Sequence, residues 1–314
     1  MYLSLLMTVG GIVLLTIGAE LLVTGSVSLA RRVGLSPLVI GLTVVSLGTS
    51  MPELVVSFDS VLRGSETIGL GNIVGSNISN IALVLGLAAL VRPLQVEAQV
   101  LRLDGPILVG VSVLLVVLIL DGGLAALEGG LLAVGVVVYL FHSVSAAQSS
   151  AAAVHEEVSD VLPSRQGLIR EIGFLVVGLG GLILGADILV EGGIHIAQEF
   201  GVSNLVVGLT VVAVGTSLPE LATTVLAAYR GNGDIAIGNA VGSSILNILG
   251  ILGFTAAVFP LSTAGLSGVE LGTMVGVSVL ILPLLQTDFT LSRKDGIVLL
   301  LVYALYLYLL FFWV

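Results

Sequence analysis

Gly41-Leu-Thr-Val-Val-Ser-Leu-Gly-Thr-Ser-Met-Pro-Glu-Leu54 and Gly208-Leu-Thr-Val-Val-Ala-Val-Gly-Thr-Ser-Leu-Pro-Glu-Leu221 are one segment written twice. They align at an offset of 167, with 11 of 14 positions identical. At the same offset, Gly71-Asn-Ile-Val-Gly-Ser-Asn-Ile-Ser-Asn-Ile81 falls on Gly238-Asn-Ala-Val-Gly-Ser-Ser-Ile-Leu-Asn-Ile248, with 8 of 11 identical. Gly18 meets Gly185, Gly34 meets Gly201, and Pro93 meets Pro260. The matched residues are largely Gly, Pro, Thr, Ser, Asn and Glu, which shared apolar composition does not produce. The chain is therefore an internal duplication.

Outside these motifs the chain is apolar. Of its 314 residues 57% are hydrophobic and 10% charged, and the mean hydropathy is +1.20. A soluble domain needs more polar surface than that. About 20 apolar residues cross a bilayer as a helix, and ten such runs are legible, near 3–29, 37–62, 67–91, 104–120, 124–142, 168–197, 204–229, 234–258, 267–285 and 295–313. The first run lacks a basic flank and is too long for a cleavable signal. Five spans per copy place the second copy upside down relative to the first, the inverted-repeat plan of secondary transporters. The expected fold is an all-α polytopic membrane protein of ten transmembrane helices. Residues 1–142 form the first five-helix repeat, 143–167 a polar cytoplasmic linker and 168–314 the inverted second repeat.

Basic residues orient this plan. Arg31, Arg32, Arg92, Arg102, Arg165, Arg170, Arg230, Arg293 and Lys294 lie in loops on one side, against Arg63 alone on the other. Both termini are expected outside and the linker inside, in a plasma or inner membrane. There is no cysteine, which removes disulfides and thiolate metal sites. The one lysine, Lys294, follows Arg293 rather than a glycine, so there is no nucleotide-binding P-loop. Nothing calls for a nucleotide, a nucleic acid, a cofactor or an oligomer, and any transport would draw on an ion gradient.

Each copy sets Gly-Thr-Ser-x-Pro-Glu in the middle of an apolar run. Pro52 and Pro219 remove an amide donor and clash with the preceding turn, so spans 2 and 7 are expected to break there. Unpaired backbone at that depth is tolerated only where it is buried or lines a cavity. Just after each break stands a glutamate, Glu53 or Glu220, and a charge at the bilayer centre costs about 2.5–3.5 kcal/mol on insertion scales. No basic residue lies in either repeat core to neutralise them, so the counter-charge must come from solution. The surrounding donors are hard oxygens: Asn80 and Asn247, and the hydroxyls of Thr49, Ser50, Thr216, Ser217, Ser76 and Ser243. Ca2+ takes six to eight such oxygens in flexible geometry, Mg2+ prefers a tighter octahedral shell, and soft metals want Cys or His.

Single features of this kind are commonly structural. A lone proline, or Gly71-x-x-x-Gly75 and Gly238-x-x-x-Gly242 alone, reads as helix packing. Two glutamates after two equivalent breaks reverse that reading in favour of an ion site. Glu20 and Asp187, a second matched acidic pair, are expected in structural or helix-end roles. Asp59 has Leu226 as its counterpart, and His195, opposite Ser28, is expected in packing.

The paired Gly-Thr-Ser-x-Pro-Glu and Gly-Asn-x-x-Gly-Ser-x-Ile-x-Asn segments resemble the two α-repeats of the sodium/calcium exchanger family, in the cation/Ca2+ antiporter superfamily, over nearly the whole chain. The resemblance implies a compact prokaryotic-type exchanger of Ca2+ for Na+. Ions would be held among spans 2, 3, 7 and 8, and spans 1 and 6 would slide as gates. By position, the ligands it implies are Glu53, Glu220, Asn80, Asn247, Ser50, Ser217, Ser76 and Ser243, with the carbonyls of Ser46, Thr49, Ala213 and Thr216. Archaeal members often carry Asp at the place of Asn247, so this site holds two formal charges rather than three. The short linker leaves no room for the calcium-sensing domains of animal exchangers. Ca2+/H+ exchange and potassium coupling stay open. An intramembrane hydrolase is disfavoured because no His or Lys base recurs beside either serine. A channel is disfavoured by the two opposed half-sites.

Overall fold

The computed structural model describes residues 2–63, 66–152, 165–199, 215–263 and 266–313. The order is α1 (Tyr2–Val33), α2 (Pro37–Thr49), α3 (Met51–Leu62), α4 (Gly69–Val91), β1 (Leu94–Gln95), α5 (Val100–Asp121), β2 (Gly123–Leu124), α6 (Ala126–Ala152), α7 (Arg165–Glu199), α8 (Leu218–Tyr229), α9 (Gly233–Val258), β3 (Leu261–Ser262), α10 (Gly268–Gln286), β4 (Thr290–Leu291) and α11 (Arg293–Trp313). Among the described residues seven helices are long and apolar enough to cross a membrane, and the bent pair α2–α3 makes an eighth. The chain is thus an all-α multi-pass membrane protein. Its helices outrun the expected linker: α6 continues to Ala152 and α7 begins at Arg165. Alanine-rich sequence favours helix even where it is polar enough to leave the bilayer.

The duplication is visible in three dimensions. β1 pairs antiparallel with β4, and β2 with β3. At the offset of 167, Leu94 maps to Leu261 and Leu124 to Leu291, so the two ribbons are copies of each other. Each joins a strand of one repeat to a strand of the other. Helices α1 and α7 run antiparallel along a glycine seam. A Cβ on Gly18 would stand 2.7 Å from Leu182 N, and one on its counterpart Gly185 would stand 2.7 Å from Leu15 N. Only a residue without a side chain permits that approach, as in small-residue membrane contacts generally.

Helices α4 and α9 form the centre. Their most apolar windows are 78% buried, against 22–39% for the other unbroken spans. A helix apolar on all sides and buried among helices reads this way. Gly238 and Gly242 bring α9 against α2, where added Cβ atoms would lie 2.6 Å from Leu38 O and 2.7 Å from Leu42 Cα. The packing role expected for that glycine pair holds. Gly71 and Gly75 have no such neighbour among the described residues. His195 is exposed rather than packed.

Candidate ion-binding site

Ser50 is the hinge between α2 and α3. Its φ and ψ are −84° and 7°, off the helical values, and the two helices meet at 41°. Pro52 is the cause, since it cannot donate to the turn before it. Ser217, just before α8, has φ −89° and ψ 6°. Pro219 thus imposes the same local geometry in the second copy. Residues 201–214 lie outside the described part, and Ala213 with them. Glu53 and Glu220 stand in the first turn of α3 and α8, just after Ser50 and Ser217, and both are fully buried.

Hydroxyls tie the glutamates together. Ser50 Oγ donates to Glu220 Oε1 at 3.0 Å, and Ser76 Oγ to Glu53 Oε1 at 3.4 Å. Ser217 Oγ lies 3.5 Å from Ser76 Oγ. The other oxygen of each glutamate, Oε2, is buried with no partner among the described residues. Among the described residues neither amide atom of the buried Asn80 has a partner, nor has Asn247 Oδ1. A buried polar atom without a partner costs about 1–3 kcal/mol, and here four side chains each leave an oxygen so exposed to that cost. The wide π-turns Ser79–Val84 and Asn247–Leu252 carry the two asparagines, and such turns recur at functional sites.

The remaining expected residues converge on the same place. Ser46, Thr49, Ser50, Ser76, Ser217 and Ser243 are buried. Ser46 O accepts from Ser50 N at 3.0 Å, Thr49 Oγ1 at 3.4 Å and Ser243 Oγ at 3.5 Å. Thr216 Oγ1 donates to Asn72 Oδ1 at 3.4 Å. The donor set is oxygen throughout, suited to a hard cation as cargo.

The supports of this site escape a reading by ligand type. Asn239 accepts from Thr49 Oγ1 at 3.1 Å and donates to Thr224 Oγ1 at 2.9 Å and Glu220 O at 3.5 Å. Its counterpart Asn72 accepts from Thr216 and donates to Ser57 Oγ at 3.3 Å and Glu53 O at 3.5 Å. Each asparagine binds a threonine of the opposite repeat and the glutamate backbone of its own. Both stand second in the repeated Gly-Asn segment, and that matched position was the available signal. Asn77 donates to Ser244 O at 3.1 Å and accepts from Asn247 Nδ2 at 3.0 Å. Among the matched acids, Glu20 forms a two-point ion pair with Arg230, at 2.7 and 3.1 Å.

Two matched helical repeats that enclose a pair of buried carboxylates in an all-α membrane protein define a membrane cation transporter of the antiporter type. The profile of the family described as "Sodium/calcium exchanger protein" matches residues 3–145 and again 170–312, and the chain belongs to that family. It is 36% identical over 307 residues to the "Putative antiporter CaxA" of Alkalimonas amylolytica, covering 96% of each chain. It is 33% identical to the "Sodium/calcium exchanger MaX1" of Methanosarcina acetivorans, covering 96% of this chain and 97% of that one. Among solved structures it superposes on the sodium-calcium exchanger NCX_Mj soaked with 10 mM Na+ and zero Ca2+. The TM-score is 0.86 at 30% identity, covering 100% of this chain and 99% of that one.

Proposed function

We propose that this chain is a secondary antiporter that exchanges Ca2+ for Na+ by alternating access, the two ions competing for Glu53 and Glu220. The observation that carries this reading is the set of unpartnered oxygens at its centre: Glu53 Oε2, Glu220 Oε2, Asn80 Oδ1 and Asn247 Oδ1. A buried carboxylate with one oxygen unpartnered among the described residues calls for a cation, and with no basic residue in either repeat core that cation comes from solution. Glu53, Glu220, Asn80 and Asn247 would be the principal ligands. Ser50, Ser217, Ser76 and Ser243 would complete the shell, with the carbonyls of Ser46, Thr49, Ala213 and Thr216 at the hinges. Two carboxylates balance one Ca2+ or two Na+.

Ten spans, with broken spans 2 and 7, accommodate this site. The ribbon β1–β4 supports the alternation of loops, since it joins the loop after span 3 to the loop before span 10 on one face. The repeats would occupy 1–142 and 168–314, in the plasma or inner membrane, with both termini outside. Ca2+/H+ exchange is the alternative. Measuring 45Ca2+ uptake into proteoliposomes under Na+, K+ and H+ gradients imposed one at a time tests the proposal. Uptake driven by the Na+ gradient alone is the expected result. Uptake driven only by protons would assign the alternative.

A further inference from the structure

The two repeats differ in their side chains at one matched place away from the ion site. Where α3 meets the end of α9, Phe58 packs against Phe254 and Phe259, with ring centroids 6.5 Å and 5.7 Å apart. At the offset of 167 the counterparts of these rings, where α8 meets the end of α4, are Val225, Leu87 and Arg92. Two short aliphatic chains and a guanidinium thus stand in place of three rings. Beside them a groove of about 760 Å³ runs between α1, α4 and α8, walled by Leu15, Leu87, Leu90, Leu218, Ala222 and Val225. Ile12, Val91 and Tyr229 on its rim are exposed, so it opens on the apolar outer surface of the helices.

Arginines gather at one end of this groove. Arg92 follows Val91, Arg230 follows Tyr229, and Arg293 Nε donates to Leu90 O at 3.1 Å. Gly231 ends α8 at φ 82°, and a Cβ there would stand 2.7 Å from Arg92 Nη1. A left-handed glycine both stops the helix and leaves the Arg92 guanidinium room to lie over it. Arg230 is paired with Glu20 at 2.7 Å. Neither Arg92 nor Arg293 forms an ion pair among the described residues. Asp295, beside Arg293, is held instead by Ser292 N at 2.8 Å and Ser292 Oγ at 2.6 Å. Glu97 and Asp234 on the same face are half-buried. The mouth of an apolar groove therefore carries two exposed guanidiniums without a carboxylate.

We propose that this groove binds one anionic glycerophospholipid, with an acyl chain between α1, α4 and α8 and the phosphate on Arg92 and Arg293. An acyl chain suits walls that are apolar throughout. A phosphate suits guanidiniums, which meet it with paired, charge-assisted hydrogen bonds. Basic pockets between membrane helices on the cytoplasmic side take anionic head groups in this way, and this is the face that the excess of basic residues marks as cytoplasmic. The matched place in the other copy offers neither half of the site. Its rings pack on one another, Phe259 stands where Arg92 would be, and Arg63, the counterpart of Arg230, is paired with Asp59 at 2.6 Å. The sequence thus builds the lipid site on one face alone, and the proposal does not depend on which ions the protein exchanges.

Native mass spectrometry of the full chain in detergent tests this. Palmitoyl-oleoyl phosphatidylglycerol and palmitoyl-oleoyl phosphatidylcholine are titrated separately, since they share acyl chains and differ in head-group charge. The expected result is a first phosphatidylglycerol bound about five- to 25-fold more tightly than phosphatidylcholine, at about fivefold for each arginine that meets the phosphate. Arg92→Gln is expected to weaken phosphatidylglycerol about fivefold and leave phosphatidylcholine unchanged. Arg63→Gln, on the face with the packed rings, is expected to change neither. Leu87→Phe combined with Val225→Phe installs the residues of the matched place and is expected to remove the first adduct of either lipid. Equal affinity of the parent for the two lipids overturns the site. So does an unchanged preference in Arg92→Gln, an equal loss in Arg63→Gln, or a first adduct undiminished by the two phenylalanines. Should the double variant not fold, the two arginine variants, both at exposed side chains, decide by themselves. Lipid binding needs no flux, so failure of Ca2+/Na+ exchange in the uptake assay would be seen separately.

Discussion

Replacing Glu220 by Gln isolates the charge at the centre of the site. The side chain keeps its size, and Gln Oε1 can still accept from Ser50 Oγ, now 3.0 Å from the carboxylate. What is lost is the negative charge at Oε2, which is buried and unpartnered. Removing one member of a buried, hydrogen-bonded charge pair costs about 2–5 kcal/mol, so Ca2+ should bind roughly 30- to several-thousand-fold more weakly. Ligand binding to the folded protein makes the loss measurable without transport. At 100 times its dissociation constant Ca2+ adds about 2.7 kcal/mol to stability. At the same concentration the variant would retain about 0.9 kcal/mol or less by the same relation. The measurement is thermal unfolding of purified protein in detergent with and without Ca2+, alongside 45Ca2+ flux at equal protein per liposome. The expected result is a Ca2+-induced rise in melting temperature in the parent, little or none in Glu220→Gln, and no flux. A full Ca2+ shift with parental flux in Glu220→Gln or Glu53→Gln would refute the assignment of this site.

Other consequences are more local. A tag placed in 143–167 should be labelled only from the cytoplasm and tags at both termini only from outside; labelling of the linker in intact cells would mean the span count is wrong by one. Asn239→Ala removes bonds to Thr49, Thr224 and Glu220 O and should cost about 2–3 kcal/mol at roughly 1 kcal/mol each. It should also weaken Ca2+ binding, and unaltered affinity would reduce Asn239 to a packing residue. Glu97 lies in the turn between β1 and α5, outside the spans, where burial and then the charges of Asp234 and Asp104 push its pKa up to about 7. The folded state thus holds that proton more tightly than the unfolded chain, and stability is lost as pH rises from about 4.5 to 7. Glu97→Gln should flatten the melting temperature over that window, and an unchanged slope would mean the carboxyl is not the cause.

Much of this was legible because the duplication is carried by residues with backbone consequences. Pro52 predicts the hinge seen at Ser50, and Ser217 before Pro219 carries matching dihedrals, although the span that would precede it lies outside the described residues. The buried glutamates follow from the cost of charge in a bilayer, and the glycines at 18 and 185 from their matched spacing. The supports were harder to see. A side-chain amide bonding to a threonine of the other repeat depends on how α4 and α9 cross the hinges, and single spans say nothing about that crossing. The helical ends of the linker were missed because polarity, which ends a membrane span, does not end a helix. Glu20 looked like a helix-end charge, and its partner Arg230 stands 210 residues away, too far for any local pattern to join them.

Where two copies share residues but not bonds, the difference belongs to the conformation; where they differ in residues, it belongs to the sequence. Both kinds occur at the ion site. Ser50 and Ser217 are counterparts and stay alike, Ser50 bonding Glu220 and Ser217 bonding Glu53. Ser76 and Ser243 are counterparts, yet Ser76 bonds Glu53 while Ser243 reaches Ser46 O. These arrangements should exchange when the repeats exchange states. Asn77 and Ser244 are different residues, and the consequence is fixed. Asn247 is tethered to Asn77, whereas Ser244 Oγ bonds Ala240 O within its own helix and leaves Asn80 untethered. A free amide can turn to follow an ion, while a tethered one presents its oxygen in one direction. Asn247 should therefore act as the fixed wall of the site in both states and Asn80 as the adaptable one. A structure of the opposite state should show Ser243 on Glu220 and Ser76 released from Glu53, with the Asn77–Asn247 bond intact. If that bond breaks while Ser76 stays on Glu53, this division into conformational and sequence-encoded asymmetry is wrong.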